Sequence, residues 1–241
     1  MLNQSLIVAR KELKDALRDL RSLVSSLFYS LMGPAVVLLV GAAKPGANEV
    51  LTAMASIFVI VSAFSGGMNV AMDTVAGERE RRSLLPLLLN PIIRRDVVIG
   101  KWLAVAAFSC AGLIINLTAF SMVLSAPAMF LKLPILLPVA LLAAALEVLI
   151  STWCRSIKEA HTYLSFLVFL PMVAGMFAVF VPRAFAHWGW LVPILGQQMV
   201  LAGQVTILQS GVLFGTTGLT ALLALVAAGN RLERDDVVYG S

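Results

Sequence analysis

Apolar residues in this chain come in long, nearly unbroken runs rather than in the alternating or helical periods of half-buried surface elements. The runs cover about 22–43, 50–72, 97–125, 135–153, 160–181 and 205–229. Each is close to the ~20 residues that cross a bilayer as a helix. They predict an all-α integral membrane protein of six transmembrane helices, folded as one domain over 1–241. Gly33-Pro34 predicts a kink in the first span, and Pro171 interrupts the fifth.

Two segments break the pattern near the ends of the chain. Over 3–21, Leu6, Leu13, Leu17 and Leu20 recur at helical spacing, continued by Val24, while Arg10, Lys11, Lys14, Asp15 and Arg18 fill the other face. The pattern predicts a helix lying in the membrane interface, with Ser5 as its N-cap. Its acidic residues and the full-length span behind it argue against a signal peptide. Over 183–204, Pro193, Gly196, Gln197, Gln198, Gly203 and Gln204 interrupt an apolar stretch that carries Trp188 and Trp190. A re-entrant helix pair on the extracellular side, anchored by interfacial tryptophans, is expected there.

The longest polar island between apolar runs is Gly77–Trp102, GERERRSLLPLLLNPIIRRDVVIGKW. Five of the six residues from Glu78 to Ser83 are charged. Leu84, Leu87 and Leu88 share one helical face, and Asn90-Pro91 breaks the backbone. The segment predicts an amphipathic helix over Glu78–Leu89 at a membrane surface, with an apolar ridge and a charged rim.

Composition agrees with this reading. The chain is 60% hydrophobic and 13% charged, against roughly 25% charged in soluble domains, and its mean hydropathy is +0.93. The net charge of +5 would suit nucleic acid, but the positions of the charges exclude that reading. With both termini on one side, 15 of the 18 Lys and Arg residues fall on that side, leaving Lys44, Lys132 and Arg183 opposite. The positive-inside rule makes the rich side cytoplasmic, with both termini and the polar island.

Catalytic constellations are missing. Gly100-Lys101 looks like the tail of a P-loop, but Trp102 follows where Ser or Thr is required, and Arg95 takes the place of the first glycine. There is no HExxH or GxSxG motif, and His161 and His187 fall on opposite sides of the membrane. Cys110 and Cys154 lie at different depths, so neither a disulfide nor a metal site is expected.

Glu147 is the one acid well inside a span, about two turns from the cytoplasmic end. Such acids handle substrate or a cation, snorkel to the surface, or pair locally, here with Arg155. Asn69 and Asn116 are candidate path residues that could equally join helices. Asp73 is expected to cap or pair at a span end. Gly211, Gly215 and Gly218 form a close-approach face for a neighbouring helix of the same bundle or of a second copy.

The order of these elements resembles the type-2 ABC exporter permeases. It runs interfacial helix, two spans, the GERER…LLPLLLNP…GKW segment, three spans, a re-entrant stretch and a last span. CRSIKEAHTYL at 154–164 and VPILGQQMVLAG at 192–203 are similar to stretches of the sodium-extruding members. Where the family carries glycine-threonine-x-glutamate after the charged cluster, this chain reads Arg82, Ser83, Leu84 and Leu85, and its first loop is short.

The resemblance implies a permease subunit that binds no cofactor itself. A separate ABC ATPase would hold ATP and Mg and meet the coupling segment 77–96 through Gly77, Glu78, Arg79, Glu80, Arg81, Leu84, Leu87 and Leu88. It further implies a homodimer or related pair in the plasma membrane, among lipid, and efflux of a substrate such as sodium. A secondary transporter or channel needing no ATPase is the alternative, and an intramembrane hydrolase is a third. Co-purification of an ATPase separates the first from both.

Overall fold

The computed structural model describes residues 2–43, 48–83, 93–180, 185 and 187–233. Among the described residues the regular structure is helical, and six helices are long and apolar enough to span a membrane. The helices are α1 (Leu2–Arg18), α2 (Leu20–Ala43), α3 (Asn48–Ala71), α4 (Arg94–Val123), α5 (Leu133–Trp153), α6 (Ile157–Phe180), α7 (Leu195–Leu201) and α8 (Ile207–Leu232). Leu84, Leu87, Leu88 and the Asn90-Pro91 break lie outside the described residues, as do the Lys44 loop and the C-terminal tail.

The three central spans form the core. Between 56% and 61% of the most apolar stretch of α3, α4 and α5 is buried, against 22% to 28% for α2, α6 and α8. Small residues set how closely α3 and α4 approach. A Cβ at Gly66 would stand 2.9 Å from the Phe108 carbonyl oxygen and 3.4 Å from the Gly112 Cα. Both are backbone atoms and cannot turn aside, so Gly66→Ala is expected to spread the two helices and cost about 1–3 kcal/mol. A lowered melting temperature of the purified protein in lipid checks this.

Several boundaries differ from the sequence pattern. The first helix ends at Arg18 because Asp19 takes over as the N-cap of α2. Its carboxylate accepts from the Arg21 and Ser22 N–H groups at 3.1 and 3.3 Å and from the Ser22 hydroxyl at 2.6 Å. The hydroxyl contact is the main influence holding the Asp19 carboxyl below the usual carboxylate range. Ser5 lies inside α1 instead of capping it, and its hydroxyl donates to Asp96 at 2.9 Å. The third span starts at Arg94, three residues before the apolar run, because Ile93 is extended and opens the helix there.

The second span continues past Met72 through a π-helical turn, Met72–Gly77, and a last helical turn, Glu78–Glu80. Helix then stops. Arg82 has φ of 56° and Ser83 is non-helical, so the surface helix expected over Glu78–Leu89 does not begin at Glu78. In the 183–204 stretch the described residues form a 3₁₀ turn at Gly189–Leu191 and the seven-residue α7, where the sequence suggests a pair of helices. All seven residues of α7 are buried. Finally, a Cβ on Gly211, Gly215 or Gly218 would meet nothing within 4 Å. The glycine face of α8 therefore does not pack against the described part of the bundle.

Candidate functional site

The charged cluster folds into a junction at the end of α3. Lys101 is an isolated cation early in an apolar run, and its side chain is 0% exposed. Its ammonium carries three N–H donors, and three acceptors surround it. Glu78 Oε2 lies at 2.7 Å, Glu12 Oε1 at 3.1 Å, and the Thr74 carbonyl is the third. That carbonyl is available because the π turn shifts the ladder. The Glu78 N–H bonds Val75 instead of Thr74, its ordinary α-helical acceptor.

Lys11 closes the network from the surface at 3.2 Å to both Glu12 and Glu78. Two carboxylates thus meet two ammonium groups. Burial draws the Lys11 amine down, but Glu12 and Glu78 outweigh it and the net shift is upward.

The remaining motif residues fasten further helices. Arg79 donates to the Cys154 carbonyl at 2.8 Å and the Thr152 carbonyl at 3.1 Å, satisfying orphan carbonyls at the C-terminal end of α5. Glu80 accepts the Ile157 N–H at 2.7 Å, at the N-terminus of α6 where negative charge is favoured. The Ser151 hydroxyl accepts the Ala76 N–H at 3.1 Å. Arg81 turns back to Asp73 at 2.8 Å, so Asp73 pairs locally as the sequence suggests. A Cβ on Gly77 would stand 2.6 Å from the Asp73 carboxylate, so the Asp73–Arg81 pair lies directly over this glycine.

Glu78 and Arg79 therefore do not form a free charged rim. Glu78 is buried, and both spend their charge inside the chain. Glu80, Arg81 and Arg82 are the exposed part of the cluster. Beside it, burial pushes the Cys154 thiol up to about 11, so it stays protonated.

Helix α1 completes the junction through a face the hydrophobic pattern does not show. Ser5, Val8 and Glu12 are buried, and a Cβ on Gly100 of α4 would come within 2.6 Å of the Val8 Cβ and 2.7 Å of the Ser5 carbonyl. The leucine face behaves differently. Leu6, Leu17 and Leu20 are exposed on the protein surface.

The path candidates stand apart from this junction and from each other. Asn69 donates to the Ser25 hydroxyl at 2.7 Å, and Asn116 to the Ser30 carbonyl at 2.7 Å, so both amides join helices to α2. Glu147 is 1% exposed, and neither carboxylate oxygen has a hydrogen-bond partner. It neither snorkels nor pairs with Arg155. Sequence reasoning missed Lys101 as a structural centre, together with Glu12, Thr74, Asp96 and Ser109. The signal for Lys101 was present, since a lysine inside an apolar run is costly without partners.

The family model for ABC-2 family transporter proteins matches residues 6–237. This chain belongs to that family. Over 203 residues, 73% of this chain and 50% of the relative, it is 34% identical to the ABC transporter permease protein NatB of Bacillus subtilis (strain 168). Over 130 residues, 48% of this chain and 47% of the relative, it is 33% identical to the probable ABC transporter permease protein NosY of Stutzerimonas stutzeri. The aligned parts cover about half the length of each relative. The protein is a multi-pass membrane protein of the ABC-2 transporter family.

Proposed function

We propose that this permease is the membrane subunit of an ATP-driven exporter in the plasma membrane, with both termini in the cytoplasm. A separate ATPase, carrying ATP and Mg, docks on the coupling segment 77–96. The observation that carries this reading is the junction at Glu78–Glu80. It fastens the start of the coupling segment to α1, α4, α5 and α6 by named bonds, so force applied to the segment reaches four helices at once. A transporter without an ATPase has no use for such a transmission point.

In this reading Leu84, Leu87 and Leu88 supply the apolar anchors of the dock, and Glu80, Arg81 and Arg82 its exposed charges. Glu78 and Arg79 hold the platform from within. The substrate path runs along the bundle near Glu147, with Asn69 and Asn116 on adjoining seams. Two permease copies complete the path, and the outward glycine face of α8 at Gly211, Gly215 and Gly218 offers them a close-approach surface. Sodium efflux is the finer reading that the sequence resemblance carries. The leucine face of α1 lies in the cytoplasmic leaflet, next to lipid.

Leu87→Asp tests the docking. Buried apolar anchors at a small interface contribute about 2 kcal/mol or more each. The variant is expected to insert normally and to lose the ATPase on affinity purification of the permease, at least tenfold relative to wild type. Equal recovery of ATPase and equal transport would overturn the docking model.

A further inference from the structure

The junction explains the buried charges near the cytoplasm and leaves one buried acid unexplained. Glu147 sits on α5 where α3 and α4 cross it. A Cβ on Gly67 of α3 would stand 2.8 Å from Glu147 Oε2 and from a Val105 methyl, and closer still to the Ser109 hydroxyl on α4. The carboxyl and the hydroxyl therefore converge on one spot against the α3 backbone, in the space that a side chain at position 67 would need. Ser109 is 0% exposed, and its hydroxyl has no partner either.

The charged and titratable groups on the neighbouring helices do not reach this space. On α3 the nearest is Asp73, which is held by Arg81. On α4, Lys101 lies about 12 Å along the helix and is fully engaged with Glu12, Glu78 and Thr74. Cys110, also on α4, adjoins Ser109. On α6, His161 lines a separate apolar groove with Tyr29, Met172 and Ser165. On α8 the first is Arg231, near the cytoplasmic end.

Three kinds of occupant can be weighed here. A bare carboxylate enclosed without donor or counter-charge is far more costly than a neutral acid, which forfeits at most a hydrogen bond, about 1–3 kcal/mol. A metal cation needs a full shell of ligands, and among the described residues no three His, Cys, Asp or Glu side chains come together to hold one. A proton needs a single oxygen. We propose that Glu147, Ser109 and the space left at Gly67 form a proton-binding site, in which Glu147 is a neutral carboxylic acid at neutral pH. When it ionises, the proton passes to water admitted between α3, α4 and α5. A carboxylate therefore exists there only while those helices are parted. The proposal rests on the placement of Glu147 near the path and not on the ATPase reading.

Infrared difference spectroscopy of the full-length permease in lipid, wild type minus E147Q at pH 7, reads the carboxyl directly and needs no ATPase. An ordinary glutamate, with a pKa of about 4.3, is protonated in roughly one molecule in 500 at that pH. The expected result is a carbonyl band of a buried carboxylic acid, shifted in D2O and absent from E147Q. S109A is expected to move this band without removing it. Should E147Q fail to fold, E147D gives the same comparison, with the band displaced. A carboxylate band at pH 7, with sodium present or absent, overturns the proposal, as does an acid band that survives in E147Q. Loss of ATPase co-purification in Leu87→Asp bears on the docking model alone.

Discussion

Lys101→Met is expected to be the most damaging single substitution at the junction of α1, α3 and α4. It removes the one cation that is fully buried among the described residues and leaves Glu12 and Glu78, both buried, beside the half-exposed Lys11. Breaking a buried ion pair by deleting one partner costs about 3–5 kcal/mol, most of it the penalty of the uncompensated charge. The Thr74 carbonyl loses its donor as well. The expected outcome is a large fall in melting temperature and in the yield of folded permease. The cause is separable from lost packing, because methionine nearly conserves lysine's volume. Adding E12Q and E78Q to the variant removes the orphaned charges and should restore most of the loss. If Lys101→Met melts with wild type, or if the triple variant recovers nothing, the ion network does not hold the junction together.

Much of the fold was legible because the bilayer requires it. Six long apolar runs settle class and span number before any contact is known. Element ends were less legible, and each miss has a tertiary cause. Hydropathy closes the second span at Met72, but the helix reaches Glu80 because Lys101, Thr152 and Cys154 supply partners for its charges. Ser5 has an N-cap residue's chemistry, yet its hydroxyl answers to Asp96, 91 positions away.

The junction was half legible. The GERER motif was singled out, while the direction its charges face was not, since spacing cannot distinguish a docking rim from a set of internal fasteners. Lys101 drew notice only as the tail of an absent P-loop. Its partners lie at positions 12, 74 and 78, and no local pattern joins those. The glycines of α8 and the carboxyl of Glu147 teach the opposite lesson. Both were picked out by type, and only the packing determined which way they point.

Gly100→Val is expected to detach α1 while leaving the six spans in place. Position 100 faces α1 across a gap that holds no side chain, with the Val8 Cβ at 2.6 Å and the Ser5 carbonyl at 2.7 Å from where a Cβ would stand. One of these is backbone and the other a branch point at the root of its side chain, so neither yields by a rotamer change. Overpacking of this kind costs about 1–3 kcal/mol, and here the cheapest relief is for α1 to lift away. Lifting breaks the Ser5–Asp96 hydrogen bond and withdraws Glu12 from Lys101. Glu78 and Thr74 stay behind with the ammonium, so the loss should be smaller than in Lys101→Met. Spin labels distinguish the two states. A label at Val8 is buried in the native packing and should become mobile in Gly100→Val, whereas labels on the leucine face at Leu17 should stay in lipid in both. If α1 transmits force from the ATPase as well as bracing the bundle, ATP hydrolysis in the variant complex will persist while transport falls. An immobile label at Val8 in a well-folded Gly100→Val would show that α4 tolerates the side chain, and that the close approach does not set the position of α1.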